Sequence, residues 1–138
     1  MTRFYGALVS ILLAALVVLG CGSDGSSKAE SIIKDQADAT ENYVNGISSA
    51  ESSQEVVAAI DRYTEDMKKL IPELKEFQMK YPEYKHGNIP KGMESDIKRL
   101  EDISAQIPEA MMKIASYMMD GDVQSAMQRM GEEMSKLE

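Results

Sequence analysis

Methionine is the residue type whose abundance and spacing could carry chemistry in this chain. There are eleven in 138 residues, and seven fall between positions 111 and 134: Met111, Met112, Met118, Met119, Met127, Met130 and Met134. Met127, Met130 and Met134 follow one another at spacings of three and four, along one face of a helix. Thioethers are soft ligands that select Cu(I), and Ag(I) by the same softness. These three, with Met111 or Met118 brought across from a neighbouring helix, are therefore the candidate metal ligands. A plainer role competes and comes first. Met111, Met118, Met127, Met130 and Met134 occupy stripe positions that a helical bundle must bury, and methionine is an adaptable core filler. Met112 and Met119 widen that stripe, and a wide Met-rich face can also form an adaptable groove for a partner or a lipid. With two Phe and no Trp, such a groove lacks the usual aromatic anchors.

Other chemistry is hard to assemble. His86 is the only histidine and Cys21 the only cysteine, so neither a nucleophile–base pair nor a zinc ligand set can be built from them. His86, between Lys85 and Gly87, reads as a solvent-facing turn residue. There is no glycine-rich phosphate loop and no Cys-x-x-Cys-His haem attachment. Bundled helices can hold two irons through Glu-x-x-His motifs, but none occurs and the acids fall opposite the apolar stripes. The expectation is a protein without catalytic activity and without a cofactor.

The elements that position these residues are helices. Ile33, Ala37, Thr40, Val44 and Ile47 alternate at four and three. So do Val56, Ile60, Tyr63, Met67, Leu70, Leu74, Phe77 and Tyr81. A third stripe runs Met93, Ile97, Leu100, Ser104, Ile107, Met111, Ile114 and Met118, and a fourth Val123, Met127, Met130, Met134 and Leu137. This 3.5-residue rhythm belongs to helices packed in bundles, and no stretch alternates at two. The boundaries predict helices near 28–49, 53–81, 92–119 and 122–137. Ser52-Ser-Gln-Glu55 has capping-box spacing, Tyr81-Pro82 closes the second helix, and Asp122 is the expected N-cap of the fourth. Glu-to-Lys pairs four apart (65–69, 76–80, 94–98, 109–113, 132–136) mark faces that meet water. Pro72 and Pro108 interrupt the long helices beside continuous stripes, which predicts kinks rather than breaks. Both sit in Ile-Pro-Glu, with Glu-Asp six residues before the Ile, a weak match between the two helices at an offset of 36. The expected fold is all-α, an up-down-up-down four-helix bundle over 28–138; a long helical hairpin with flanking helices, dimerising, is the alternative.

The N-terminus has its own pattern. Arg3 precedes an uncharged apolar run from Phe4 to Leu19, too short for the ~20 residues that span a bilayer, and this is the layout of a secretory signal. Its end, Val18-Leu19-Gly20-Cys21, resembles the lipobox of bacterial lipoproteins. That resemblance covers residues 1–21 alone. It implies cleavage of residues 1–20, a diacylglyceryl group on the Cys21 thiol, further acylation (palmitate or a similar chain) at the new terminus, and a lipid-anchored place in the cell envelope. Gly22, not Asp, after the cysteine implies the outer membrane, facing the periplasm, in a Gram-negative source. Lipidation would also remove a lone free thiol from an oxidising compartment. Gly22-Ser-Asp-Gly-Ser-Ser27 completes a lipidated flexible tether over 21–27, reaching ~20 Å when extended.

Loss of residues 1–20 removes Arg3 and no acid, so a formal charge of −8 becomes −9. An acidic surface without a basic run repels nucleic acid and anionic headgroups. The expected partners are the membrane, through Cys21, and an envelope protein; nucleic acid is excluded.

Overall fold

A computed structural model describes residues 23–82 and 93–137, with side chains from 27 to 82 and from 93 to 136. Cys21 and His86 lie outside these residues, as do residues 1–20. Every element among the described residues is helical: α1 (Ser23–Ser49), α2 (Ser53–Lys80), α3 (Glu94–Ser104), α4 (Ile107–Ala115), α5 (Gly121–Met134) and a closing 3-10 turn (Ser135–Leu137). With α3 and α4 forming one interrupted rod, this is the expected all-α four-helix bundle.

α1 begins five residues before the expected boundary. Ser23 to Ser27, read from their composition as tether, are its first turns. Lys28 pairs with Glu73 of α2 and Ala29 is buried, so packing fixes the helix from there. Propagating a formed helix backward costs far less than nucleating one. The helical stretch covers about 1.5 Å per residue, less than half its extended reach.

α2 has the expected cap. Ser52 is extended, its hydroxyl accepts from the Glu55 amide at 3.3 Å, and Glu55 Oε2 accepts from the Glu51 amide at 2.6 Å. The helix runs unbroken through Pro72. At Pro108 the expectation of a kink is wrong, because the rod breaks. Proline has no N–H for the Ser104 carbonyl and its ring crowds that turn. The Gln106 amide has already shifted to Ile103 at 3.0 Å, its side-chain amide takes the vacated Asp102 carbonyl at 3.3 Å, and the Ser104 hydroxyl bonds back to Leu100 at 2.6 Å. Pro108 then sits in the first turn of α4, where its missing N–H costs nothing. Along the rod Ile97, Leu100, Ile107 and Ile114 are buried as expected, but Ile103 and Ala110 are buried where the stripe has Ser104 and Met111, which are only half-buried. α5 is capped by Asp120 rather than Asp122, since extended Asp120 accepts the Asp122 amide at 2.9 Å.

Cross-links between helices fix their directions. α1 and α2 are antiparallel, joined by the turn at 50–52, and Gly46 lets them approach: a Cβ there would stand 3.0 Å from that of Ala59. The α3–α4 rod runs parallel to α1, because Arg99 pairs with Asp38 (2.8 Å) and with Glu41, and the Lys113 ammonium donates to the Ser48 carbonyl at 2.8 Å. α5 runs parallel to α2, with Arg129 bonded to Asp61 at 2.8 and 3.0 Å. The order is up-down-up-down, with the third rod packed on α1 and α5 on α2.

The interior divides in two. A large cluster joins Tyr43, Val44 and Ile47 to Ile60, Tyr63, Met67, Leu100, Ile114, Val123 and Met130. A smaller one, Ala29, Ile32, Ile33, Leu74, Phe77, Met93 and Ile97, draws on α1, α2 and α3 with the residue just before it, and not on α5. Gln36 and Thr40, both buried, follow the smaller cluster along α1. The Thr40 hydroxyl donates to the Gln36 carbonyl at 2.8 Å, whereas the Gln36 side-chain amide is buried with neither polar atom hydrogen-bonded among the described residues.

Candidate functional site

The fold places the methionines it describes at three depths. Met67, Met93, Met130 and Met134 are at most 3% exposed. Met111 and Met127 are half-buried against the large cluster. Met112 and Met119 are exposed at 68% and 95%, and Met118, expected in the stripe, is exposed at 41%. Met118 falls past the end of α4, where its neighbour Tyr117 takes the inward place. Met79, 78% exposed, stands apart near the end of α2.

Of the five candidate metal ligands, then, Met130 and Met134 stand in the core beside Val123 and Ala126, Met127 lies between core and surface, and Met118 faces solvent. Met111 has another partner: the Tyr43 hydroxyl donates to its sulfur at 3.8 Å. Of the seven methionines between 111 and 134, a ligand arriving from solvent meets Met112, Met118 and Met119 first. Among the described residues, no three His, Cys, Asp or Glu side chains gather to hold a metal ion.

The segment carrying the exposed thioethers is tightly built. Past α4 the chain keeps winding through three-residue turns, Ser116 to Lys113 (3.1 Å), Tyr117 to Ile114 (2.8 Å), Met118 to Ala115 (3.3 Å) and Asp120 to Tyr117 (2.9 Å). The Gln124 side chain reaches back to the Met118 carbonyl at 2.7 Å. Half-buried Tyr117 packs inward, so Met118 and Met119 are carried outward on a backbone held from both sides. The Asp120 carboxyl is held below the usual range by the Ser53 hydroxyl and then by the Asp122 amide, which ties this segment to the start of α2.

Beneath it lies a polar layer of which the stripes gave Thr40 and Tyr63 but not Tyr43 or Gln36. The Tyr43 and Tyr63 rings meet at 4.8 Å between centroids with planes tilted by 35°. Burial pushes the Tyr63 phenol up to about 12, partly offset by its hydrogen bond with Thr40, and pushes Tyr43 higher still. Tyr43 and Gln36 flank Thr40 at three and four residues, a spacing that would have placed both on its face.

Elsewhere an open groove of about 550 Å³ lies between α2 and α5, edged by Asp61, Glu65, Lys68, Arg129, Glu132 and Glu133. Most of its charges are paired, Arg129 with Asp61, Lys68 with Glu65 at 3.5 Å, and Glu133 with Lys136 at 2.6 Å, which holds the Glu133 carboxyl below its usual range, while Glu132 accepts from the Gln128 amide at 3.0 Å. Such a groove is a solvated seam between helices. No helix among the described residues is long and apolar enough to cross a membrane. No family model matches the chain, and neither a curated protein nor a solved structure is detectably similar to it.

Proposed function

We propose that this chain is a lipid-anchored, extracytoplasmic helical module that works by contact rather than catalysis, through the methionine end of its bundle. One observation carries the reading: Met112, Met118 and Met119 are exposed within one eight-residue stretch beside a tightly wound turn, while among the described residues the other large apolar side chains, Met79 apart, are covered. Large exposed apolar groups that adjoin one another mark contact surfaces. Their position supports it further. Attachment at Cys21 puts the lipid at the start of α1, and 27 helical residues carry the chain about 40 Å from there. The α1–α2 turn and the α4–α5 turn lie at that far end, joined by Lys113 to Ser48 and by Asp120 to Ser53. The anchor would hold the protein in the cell envelope and present the methionines away from the bilayer, toward the periplasm in a Gram-negative source.

Photo-crosslinking in cells tests it. A crosslinker at position 118 should capture the same envelope protein repeatedly, and one at Glu30, an exposed site near the opposite end, should not; equal or absent capture at both contradicts the reading. For the anchor, Cys21→Ser should abolish lipid labelling, and a labelled variant sinks it.

A second reading has its own observation, the adjacency of the accessible thioethers of Met118 and Met119 with Met112 about 10 Å along the winding chain. Thioethers in that setting can take Cu(I). Titration against a competing chelator decides it. Stoichiometric binding lost in Met112→Leu/Met118→Leu/Met119→Leu supports a soft-metal protein whose ligands are the exposed set, whereas loss only with Met127, Met130 and Met134 replaced assigns it to the helical stripe.

A further inference from the structure

We propose that the methionine end receives a cationic amphipathic helix of a partner protein; this rests on the contact reading above and names the partner's chemistry. The apolar part of the surface is made of thioethers without an aromatic anchor, and flexible methionines repack around helices of varied sequence. Met112 and Met119 are seven residues apart on a continuously wound segment, about 10 Å. That length matches two turns of a helix laying side chains i, i+3 or i+4, and i+7 against it.

Charge selects which helix. From residue 109 to 122 the chain carries Glu109, Asp120 and Asp122 against Lys113 alone, and the Lys113 ammonium is turned onto the Ser48 carbonyl. Glu51 and Glu55, both exposed, add their charge from the adjoining turn at this end. An apolar patch with an acidic rim complements a helix whose flanks are Lys or Arg, and such pairing accelerates encounter as well as choosing the partner. The same charge disfavours the other occupants: a second copy would bring like charge to like, and anionic headgroups would be repelled.

The test uses the lipidated full-length protein in phosphatidylcholine nanodiscs, with empty nanodiscs as blank. The probe is a fluorescent amphipathic peptide of about five helical turns, Leu on one face and Lys on the other, against its twin with Glu for Lys. Saturable binding of the Lys peptide is expected, with the Glu twin at least about tenfold weaker. Met112→Ser/Met118→Ser/Met119→Ser, at unchanged helicity, should weaken it about tenfold, or about 1.4 kcal/mol. Glu109→Gln/Asp122→Asn should weaken it several-fold, while Glu30→Gln/Glu76→Gln, both exposed near the opposite end, leaves it within about twofold. Equal binding of the two peptides, indifference to the serine triple, or equal loss from both carboxylate pairs overturns the proposal. So does self-association through this end, or binding to phosphatidylglycerol vesicles that the serine triple abolishes. If these fail while the crosslinker at 118 still captures one protein, the contact reading stands and the partner's chemistry falls.

Discussion

The Tyr43 hydroxyl donates to the Met111 sulfur at 3.8 Å, from a ring that also packs on Tyr63. Met111, a candidate metal ligand by its spacing, is thereby a hydrogen-bond acceptor for a buried phenol, joining α4 to α1. The bond is a weak one by type, but a buried hydroxyl without it bears a desolvation cost of about 1–3 kcal/mol. Met111→Leu should destabilise the fold by about 1 kcal/mol, and the same change in a Tyr43→Phe background should cost measurably less. Denaturant titration of the four proteins in that cycle gives the coupling; additive effects would mean the sulfur contact contributes nothing.

Gln36 is the opposite case, a buried amide with no partner among the described residues. An apolar side chain of similar size removes that burden. Gln36→Leu should stabilise the protein by about 1–2 kcal/mol and raise the thermal midpoint by several degrees. A loss of stability would mean that the amide is satisfied in solution.

The buried tyrosines make stability fall at high pH. Both phenols titrate above their ordinary value of 10 when folded, chiefly because burial disfavours the phenolate. The unfolded chain releases these protons first as pH rises, so their contribution is intact below pH 10 and is lost as pH climbs through 10 toward 12. Denaturant midpoints should drop across that window, and Tyr63→Phe should flatten the drop by one proton's worth. An unchanged slope in the variant would place the alkaline sensitivity elsewhere.

Much of this architecture was legible in the residues. The α1 and α2 stripes from Ile33 to Phe77 are buried as their spacing requires, and the Ser52–Glu55 cap formed. The rod from Met93 to Met118 was not, because two prolines with the same neighbours behave differently. Pro72 is carried through by the surrounding α2, while Gln106 and Ser104 supply side chains that satisfy a broken end at Pro108. Met118 reaches the surface because it lies past the end of α4, where Tyr117 packs inward instead. The expected ion pairs also shifted: Lys69 stands 3.4 Å from Asp66 and Lys136 2.6 Å from Glu133. Exposed pairs exchange partners at almost no cost.

The central claim is that a partner covers the methionine end in the envelope, and oxidative footprinting reads it directly. Exposed thioethers are converted to sulfoxides by peroxide in proportion to their access. In the purified protein Met79, Met112, Met118 and Met119 should react first, ahead of Met67, Met93, Met130 and Met134. In intact envelopes Met112, Met118 and Met119 should be protected several-fold while Met79, outside the surface, reacts as before. Equal rates for the three in envelope and in solution would contradict the account.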